Sequence, residues 1–491
     1  MLPIFPETVQ NDPLVFDFPC AKQIGRLLLM GGYDIMNNVP GCYAIPGKCR
    51  QRVFLKRQAT KNQKKGLPPR GSMVEFRMKN RSCPAFFAAF PAVYATENVY
   101  QIFIPVREAS VMWATVGKER FDDARGGVLR SDTRCHKVTV PMELLDRAGE
   151  YTLHWRRIPE RKPYFTEAGD EETATFCFRP VPETGNLRLC HLSDTHGLLA
   201  PAVHAAEIAA TEVTDKAVGE KAGVTTREPS VRTPVPDGFD LILFTGDVHN
   251  HNGGETEYHA LPRLVSELAH GEIPIVYARG NHDTRGAFAE YLPEIAPTVG
   301  GVYYYTFRLG GLWGLVLDCG EDKPDDHPEY GFVNDFSLYR EAETAFLRHL
   351  TENVGNAPGS RETASLSPDA PDIRWRLVIS HVPFPFPKQP PFDIERGRYA
   401  DWCRMIGKGI RPDLMVSGHL HVCEICQPGC ERDKEHIQFC PLFLSCRPDF
   451  ENEVYTCGVL TLTADGILPR YVSSDGTVRT EEKIPLAKRN G

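Results

Sequence analysis

Residues 187–196 read LRLCHLSDTH: a short apolar run stops and is followed at once by a carboxylate and an imidazole. The same grammar returns four times downstream, in LILFTGD (241–247), IPIVYARGNHD (273–283), RLVISH (376–381) and DLMVSGHLH (413–421). Helix-like segments and long polar connections separate these runs. Short apolar runs alternating with such segments are the texture of an α/β domain whose strands are buried on both faces. In such a sheet, ligands bind outside the carboxyl ends of the strands, which is where these motifs fall. In extended backbone, residues i and i+2 point to one side, so Asp194 and His196 can share a target, as can His419 and His421. Glycines precede Asp247, Asn281 and His419 and allow sharp turns and close backbone approach where the chain leaves the sheet.

The residues so collected are Asp194, His196, Asp247, Asn281, His381, His419 and His421. Carboxylate, amide and imidazole form a mixed oxygen and nitrogen donor set, suited to a divalent transition ion such as Mn, Fe, Zn or Co rather than to calcium. With one carboxylate bridging, the set supplies about four contacts to each of two ions, and two ions roughly 3.5–4 Å apart are a standard device for displacement at phosphorus. A lone Asp-x-His carries little information. Five such motifs in one order, each after a strand, predict a dinuclear metal centre.

The series Asp-x-His, Gly-Asp, Gly-Asn-His-Asp, His, Gly-His-x-His resembles the calcineurin-like metallophosphoesterase superfamily. The motifs span 194–421, and the resemblance extends over Leu187 to about Ile484. It implies a four-layer α/β/β/α sandwich with two metals at one end of the sheets. Residue by residue, it implies one metal held by Asp194, His196, Asp247 and His421, and a second by Asp247, Asn281, His381 and His419, with Asp247 as the bridge. His282 matches the family's non-ligand histidine beside the scissile phosphate. The implied chemistry is a phosphoester hydrolase, a phosphatase or phosphodiesterase. Its nucleophile is a water acidified by both cations, attacking in line, while His282 holds a phosphate oxygen or protonates the leaving alkoxide. Arg285 is a further catalytic candidate that would fork onto a phosphate oxygen, a salt bridge to a nearby carboxylate being its alternative. Asp283 is read as a structural acceptor, and Asp318, ending LWGLVLD, as a partner that orients a ligand.

Departures narrow the branch. Protein Ser/Thr phosphatases of this superfamily carry Gly-Asp-x-x-Asp-Arg-Gly at the second motif. Here Asn250 stands where their histidine-supporting Asp would be, and the Arg is missing. Purple acid phosphatases have Gly in place of His196 and a Tyr ligand where Asn250 stands, so a ferric-tyrosinate centre is not expected. His249 and His251 either face the substrate or are exposed loop histidines. Cys423, Cys426 and Cys430 lack the second pair a structural zinc needs and read as reduced thiols.

Outward from the motifs, residues 73–185 read as short β-like runs (MVEFRM, AFFAAF, VYQIFIPV, VMWATV, HKVTVPMELL, YTLHWRRI, ATFCFRP) with turn signals between them. They predict a small all-β, immunoglobulin- or fibronectin-like sandwich preceding the catalytic domain at 186–491. Residues 1–72 are an unassigned extension. Between Lys48 and Arg70 it holds nine Lys or Arg and no acid, which reads as a solvated linker or as an arm that touches nucleic acid or an acidic partner. The chain's 491 residues carry a net charge of −8, which does not favour general nucleic-acid binding. No apolar stretch is long enough to span a membrane, and the start lacks a basic region leading into an apolar one. Fifteen scattered cysteines read as reduced thiols, and with the lack of a leader they predict a cytoplasmic enzyme. A non-catalytic binding or scaffold protein with a vestigial metal site is one rival reading, against which the complete ligand set speaks, and a nucleic-acid-processing phosphodiesterase is another. Substrate, ion identity and oligomeric state are left open.

Overall fold

The computed structural model describes residues 82–214, 223–226, 234–352, 367–386 and 388–488, and all of these fall within one compact unit. The apolar runs form strands as their composition requires. Leu187–Leu192, Leu241–Phe244 and Pro274–Tyr277 lie parallel and adjacent at the centre of an eleven-stranded sheet. Val454–Thr463 continues it, antiparallel to Leu187–Leu192. A second sheet of six strands places Leu312–Leu317, Trp375–Ser380, Leu414–Ser417 and Leu442–Leu444 in parallel order, closed by antiparallel strands at both edges. Every residue of Leu241–Phe244, Pro274–Tyr277, Trp375–Ser380 and Leu414–Ser417 is buried, which is why these strands read as unbroken apolar runs rather than as alternations.

Three apolar clusters define the layers. Leu189, Leu243 and Val276 of the larger sheet meet Val316, Leu377, Ile379 and Val416 of the smaller one in a shared core. On the outer face of the larger sheet, Ile242, Phe244 and Tyr277 are covered by Leu199–Thr214 and Ala260–Ala269. On the outer face of the smaller sheet, Leu315, Val378 and Met415 are covered by Leu347 of Phe336–Glu352 and by Trp402 and Ile406 of Arg396–Gly409. The order is helix, sheet, sheet, helix. Each fully buried Leu, Ile or Phe contributes roughly 1.5–3 kcal/mol, so the three clusters supply the driving force for holding the two sheets together.

The expectation of a separate β-sandwich over 73–185 is corrected. Ala92–Thr96 pairs in parallel with Pro274–Tyr277, and Val99–Pro105 and Cys135–Pro141 follow it, so these three strands are the edge of the larger sheet itself. Their side chains alternate: Val93, Ala95, Ile102 and Val138 enter the inter-sheet core, while Tyr94 and Phe103 face the helices. A separate four-stranded sheet, built on Ser110–Val116 and Glu150–Arg157 with Glu119–Asp122 and Glu171–Cys177 at its edges, packs its Met112, Ala114, Leu153 and Trp155 on the same core. The described part of the segment is thus sandwich-like in its packing but shares a sheet with Leu187–Leu192, Leu241–Phe244 and Pro274–Tyr277. AFFAAF is a turn rather than a strand, with only Phe87 bridging to Val106, and the true strand is AVYAT just after it. MVEFRM, the extension 1–72 and its basic arm lie outside the described residues.

Where these sheets meet, Ser110 Oγ lies 3.0 Å from His136 Nε2, and His136 Nδ1 lies 2.7 Å from Asp123 Oδ2. The order of groups is that of a hydrolytic triad. Their exposures of 0, 0 and 4% leave no route for a substrate, so the network is a polar tie between sheets. Among the described residues no helix is long and apolar enough to cross a membrane.

Candidate metal centre

Seven side chains chosen from sequence arrive at one point from two sheets. Asp194 and His196 follow Leu187–Leu192, Asp247 follows Leu241–Phe244, and Asn281 follows Pro274–Tyr277. His381 follows Trp375–Ser380, and His419 and His421 follow Leu414–Ser417. The local chain is bent hard to aim them. Asp194, His196, Asp247, His419 and His421 all adopt left-handed backbone, with φ between 42° and 68°. That conformation costs a non-glycine residue on the order of 1 kcal/mol or more, and Asp and His are among the side chains that tolerate it. Gly246 and Gly280 permit the bend. A Cβ on Gly246 would fall onto the Gly280 backbone and within 2.7 Å of Asp283 Oδ2, and one on Gly280 would sit 2.5 Å from the Asp247 amide nitrogen.

The contacts fall into two groups. Asp194 Oδ1 lies 3.4 Å from His421 Nε2 and 3.9 Å from His196 Nε2, and the two imidazole nitrogens are 3.0 Å apart. Asp247 Oδ2 lies 3.1 Å from His381 Nε2 and 3.8 Å from His196 Nε2. Asn281 Oδ1 is 3.1 Å from both His381 Nε2 and His419 Nδ1. Asp194–His196–His421 and Asp247–His381–His419 each bring one donor atom per residue close enough to hold an ion, and His196–Asp247–His282 forms a third such group. The donor set tests well against a cation. Asp194 Oδ1 is fully buried without a hydrogen-bond partner, ringed by imidazole nitrogens. A buried carboxylate oxygen left so costs several kcal/mol unless a positive charge meets it.

Charge is already finely distributed. Burial holds His196 down to about 4 and pushes His419 well below its ordinary value, keeping both rings neutral and able to donate a lone pair. Burial also opposes charge on His381, but Asp247 and Asp194 outweigh it and raise the ring to about 9. Burial works against the Asp194 carboxylate as well, and His381 and His421 overcome it, lowering its pKa below the usual carboxylate range. Supporting bonds fix these side chains: Thr245 O accepts from His381 Nδ1 at 2.6 Å, and the His419 and His282 amides donate to Asp194 Oδ2 and Asp247 Oδ1, each at 2.8 Å. Asp283 plays the acceptor role read for it, taking the amides of Asp247 and Gly280 and the Tyr277 hydroxyl at 3.1, 2.9 and 3.0 Å.

His282 stands beside the ligands, its ring 4.9 Å from that of His196. Its Nδ1 donates to the Asn250 carbonyl at 2.8 Å, and Arg285 Nη1 lies 3.5 Å from its Nε2. The support that a side-chain carboxylate gives elsewhere comes here from the main chain of Asn250. Arg285 departs from the expected fork onto phosphate. Its Nε and Nη2 bind Glu321 Oε1 and Oε2 at 2.6 and 2.8 Å, because Glu321 is a buried carboxylate that requires a partner. Only Nη1 faces His282, 3.2 Å from Nδ1. Asp318 orients no ligand; it binds Arg279 at 2.6 Å and Tyr339 at 2.9 Å. His249 packs over Gly197, and exposed His251 accepts from the Gly253 amide in its own loop. Among the described residues the cysteines form no metal-ligand group. Sequence reading missed Lys388, whose Nζ meets His419 Nε2, and Phe450, 54% exposed with its ring 6.3 Å from that of His196. No spacing rule marks either.

The calcineurin-like phosphoesterase family model matches residues 187–423. A Rhodopseudomonas palustris protein described as a "Probable cyclic nucleotide phosphodiesterase" is 28% identical over 190 residues, covering 37% of this chain and 56% of that protein. This chain thus spans little more than half the length of that curated relative. Among solved structures, a purple acid phosphatase from yellow lupin (Lupinus luteus) aligns at TM-score 0.48 and 13% identity over 81% of this chain and 74% of its own. A structure of PhoD aligns at TM-score 0.41 and 13% identity, over 83% and 95%. The matched span begins at the first strand of the centre and ends just beyond His421, enclosing every ligand candidate, so over residues 187–423 the chain is similar to the calcineurin-like phosphoesterase family.

Proposed function

We propose that this protein hydrolyses phosphoesters with two divalent transition ions as cofactors, one held by Asp194, His196, Asp247 and His421 and the other by Asp247, Asn281, His381 and His419. The observation that carries the reading is the partnerless Asp194 Oδ1 facing His196 and His421, beside Asp247 facing His381 and Asn281. Ions bound there would polarise the phosphoryl oxygens and acidify the attacking water. The chain's own residues do the rest. Asp247 reaches both groups of donors and serves as the bridge. His282, tethered through Nδ1 to Asn250, presents Nε2 to a phosphate oxygen or to the leaving alkoxide. Arg285, locked on Glu321, is a positioning residue that walls the His282 ring.

The test is hydrolysis of p-nitrophenyl phosphate and of its bis-ester by metal-loaded protein, with Mn, Zn, Fe and Co compared. Turnover of either ester, lost in Asp194→Ala, supports the reading; no turnover with any ion refutes it. A phosphodiesterase is the second reading, favoured by the activity named for the Rhodopseudomonas palustris relative. Exclusive turnover of the bis-ester would select it.

A further inference from the structure

A cleft of about 160 Å³ opens beside the centre, between the loop after His381 and the turns that follow Glu424–Cys426. That is several times the roughly 30 Å³ a water molecule occupies in the liquid, and gives room for one phosphate group. Pro383, Phe386 and Leu420 are its apolar part, and Lys388, Arg432 and Lys434 its charged part. Three cations and no carboxylate thus line it, in a chain whose net charge is −8. Cleft and centre touch through two residues. Leu420 stands between His419 and His421 in sequence. Lys388 lines the cleft while its Nζ meets His419 Nε2, the ring nitrogen opposite the Nδ1 that faces Asn281 and His381.

The protein itself neutralises only part of this charge. Arg432 binds Glu424 at 2.8 Å. Asp322 stands 4.0 Å from Lys388 and is shared with Lys323 and Arg285. Lys434 is exposed, and no carboxylate among the described residues pairs with it. The acids beside it in sequence are engaged elsewhere. Asp433 is buried and accepts the amides of Gly429, Ile437 and Gln438 at 2.9, 2.9 and 3.1 Å, and Glu435 pairs with Arg396. With Arg432 matched by Glu424, the two lysines are left to be met. A recess lined by one sign of charge concentrates the opposite one. A phosphate monoester, carrying about 1.5 to 2 negative charges at neutral pH, meets two lysines better than a carboxylate does.

We infer that this cleft holds a second phosphate group, carried on the alcohol portion of the ester, between Lys388 and Lys434. The inference rests on the phosphoesterase reading and names its substrate class, a phosphoester with a further phosphate beyond the one cleaved. Lys434 determines specificity; it takes no part in the bond-breaking step.

The first test needs no metal. Calorimetric titration of the metal-free protein with inorganic phosphate is expected to show one site, weakened about tenfold in Lys434→Glu by reversal of a facing charge and kept within about threefold in Lys434→Arg. The second uses the Mn-loaded protein and whichever p-nitrophenyl ester it hydrolyses. Alkanediol bisphosphates of three to six carbons are tested as inhibitors against the alkyl monophosphates of the same length. The best bisphosphate is expected to inhibit about tenfold more tightly than its monophosphate, and Lys434→Glu to erase that difference. Thermal melts check that the variants fold, which the exposure of Lys434 favours. Absent phosphate binding, equal binding by Lys434→Glu, or no bisphosphate that surpasses its monophosphate would overturn the inference. A carboxyalkyl phosphate that equals the best bisphosphate would overturn the assignment to phosphate. Phosphate binding that responds to Lys434→Glu, with neither p-nitrophenyl ester turned over, keeps the cleft and rejects the phosphoesterase reading.

Discussion

Metal uptake by this protein is expected to be steeply pH-dependent, because a proton already sits where a cation would go. The His381 ring is buried, yet Asp247 at 3.1 Å and Asp194 at 3.9 Å raise its pKa from 6.5 to about 9 in the metal-free site. An ion bound through Nε2 must displace that proton. At neutral pH, about two units below, the competition weakens the apparent affinity by about 100-fold, or ~2.7 kcal/mol. It relents about tenfold for each pH unit up to about 9. The His196 ring, held near 4 by burial, has no such proton to lose. On the proposed division of ligands, the two ions therefore bind in separate steps at neutral pH, and the steps approach each other as pH rises. The sign for folding is opposite. A folded-state pKa raised above its unfolded value stabilises fully below 6.5 and ceases to do so as pH climbs through about 9. The metal-free protein should thus lose about 3 kcal/mol over that interval. Equilibrium dialysis against Mn or Zn at several pH values, with urea unfolding of the metal-free protein in parallel, measures both. An affinity that stays within about threefold from pH 7 to 9 would refute the reasoning.

Four substitutions probe other parts of the site and fold. Asp247→Ala should remove both ions and essentially all turnover, since the bridge is shared; elemental analysis finding two ions still bound would contradict it. His282→Ala should retain the ions and slow turnover by about 10²–10⁴-fold, and unaltered rates would remove its role. Gly280→Ala drives a Cβ to 2.5 Å from the Asp247 amide and should cost metal affinity at least about tenfold by displacing that carboxylate, measured by the same dialysis. His136→Ala leaves Asp123 buried with Arg130 3.6 Å away and should destabilise folding by about 3 kcal/mol in urea without altering turnover per folded molecule.

The convergence of the seven candidate donors is legible because strand ends are marked locally: a buried apolar run followed by glycine, carboxylate or imidazole leaves few places for those groups to go. Pairing is not local, and this is why the edge of the larger sheet was misread. AVYAT is buried at every position, as an internal parallel strand is, but nothing within it names Pro274–Tyr277 as its neighbour. The support behind the centre was hidden for a different reason. The helix Phe336–Glu352 turns Arg340, Glu343, Thr344 and Leu347 inward, a helical stripe made mostly of polar residues. Arg340 binds the carbonyls of Cys319 and Glu321 at 2.7 and 2.6 Å, and Glu343 accepts the Asp318 amide at 2.8 Å, so these side chains shape the loop that holds Arg279 and Arg285. Hydropathy places such residues in solvent; only tertiary hydrogen bonding brings them inside.

The seven donors belong to two hydrogen-bonded layers, four on one and three on the other, from Asp194 to His421 along the chain. A cation gripped by both is therefore a rivet through the laminate as well as a reagent. Chelation should loosen the seam between the plies first at this end, where amides of the two sets of loops exchange hydrogen faster, while the far end, stitched by Leu462 and Trp375, stays shut.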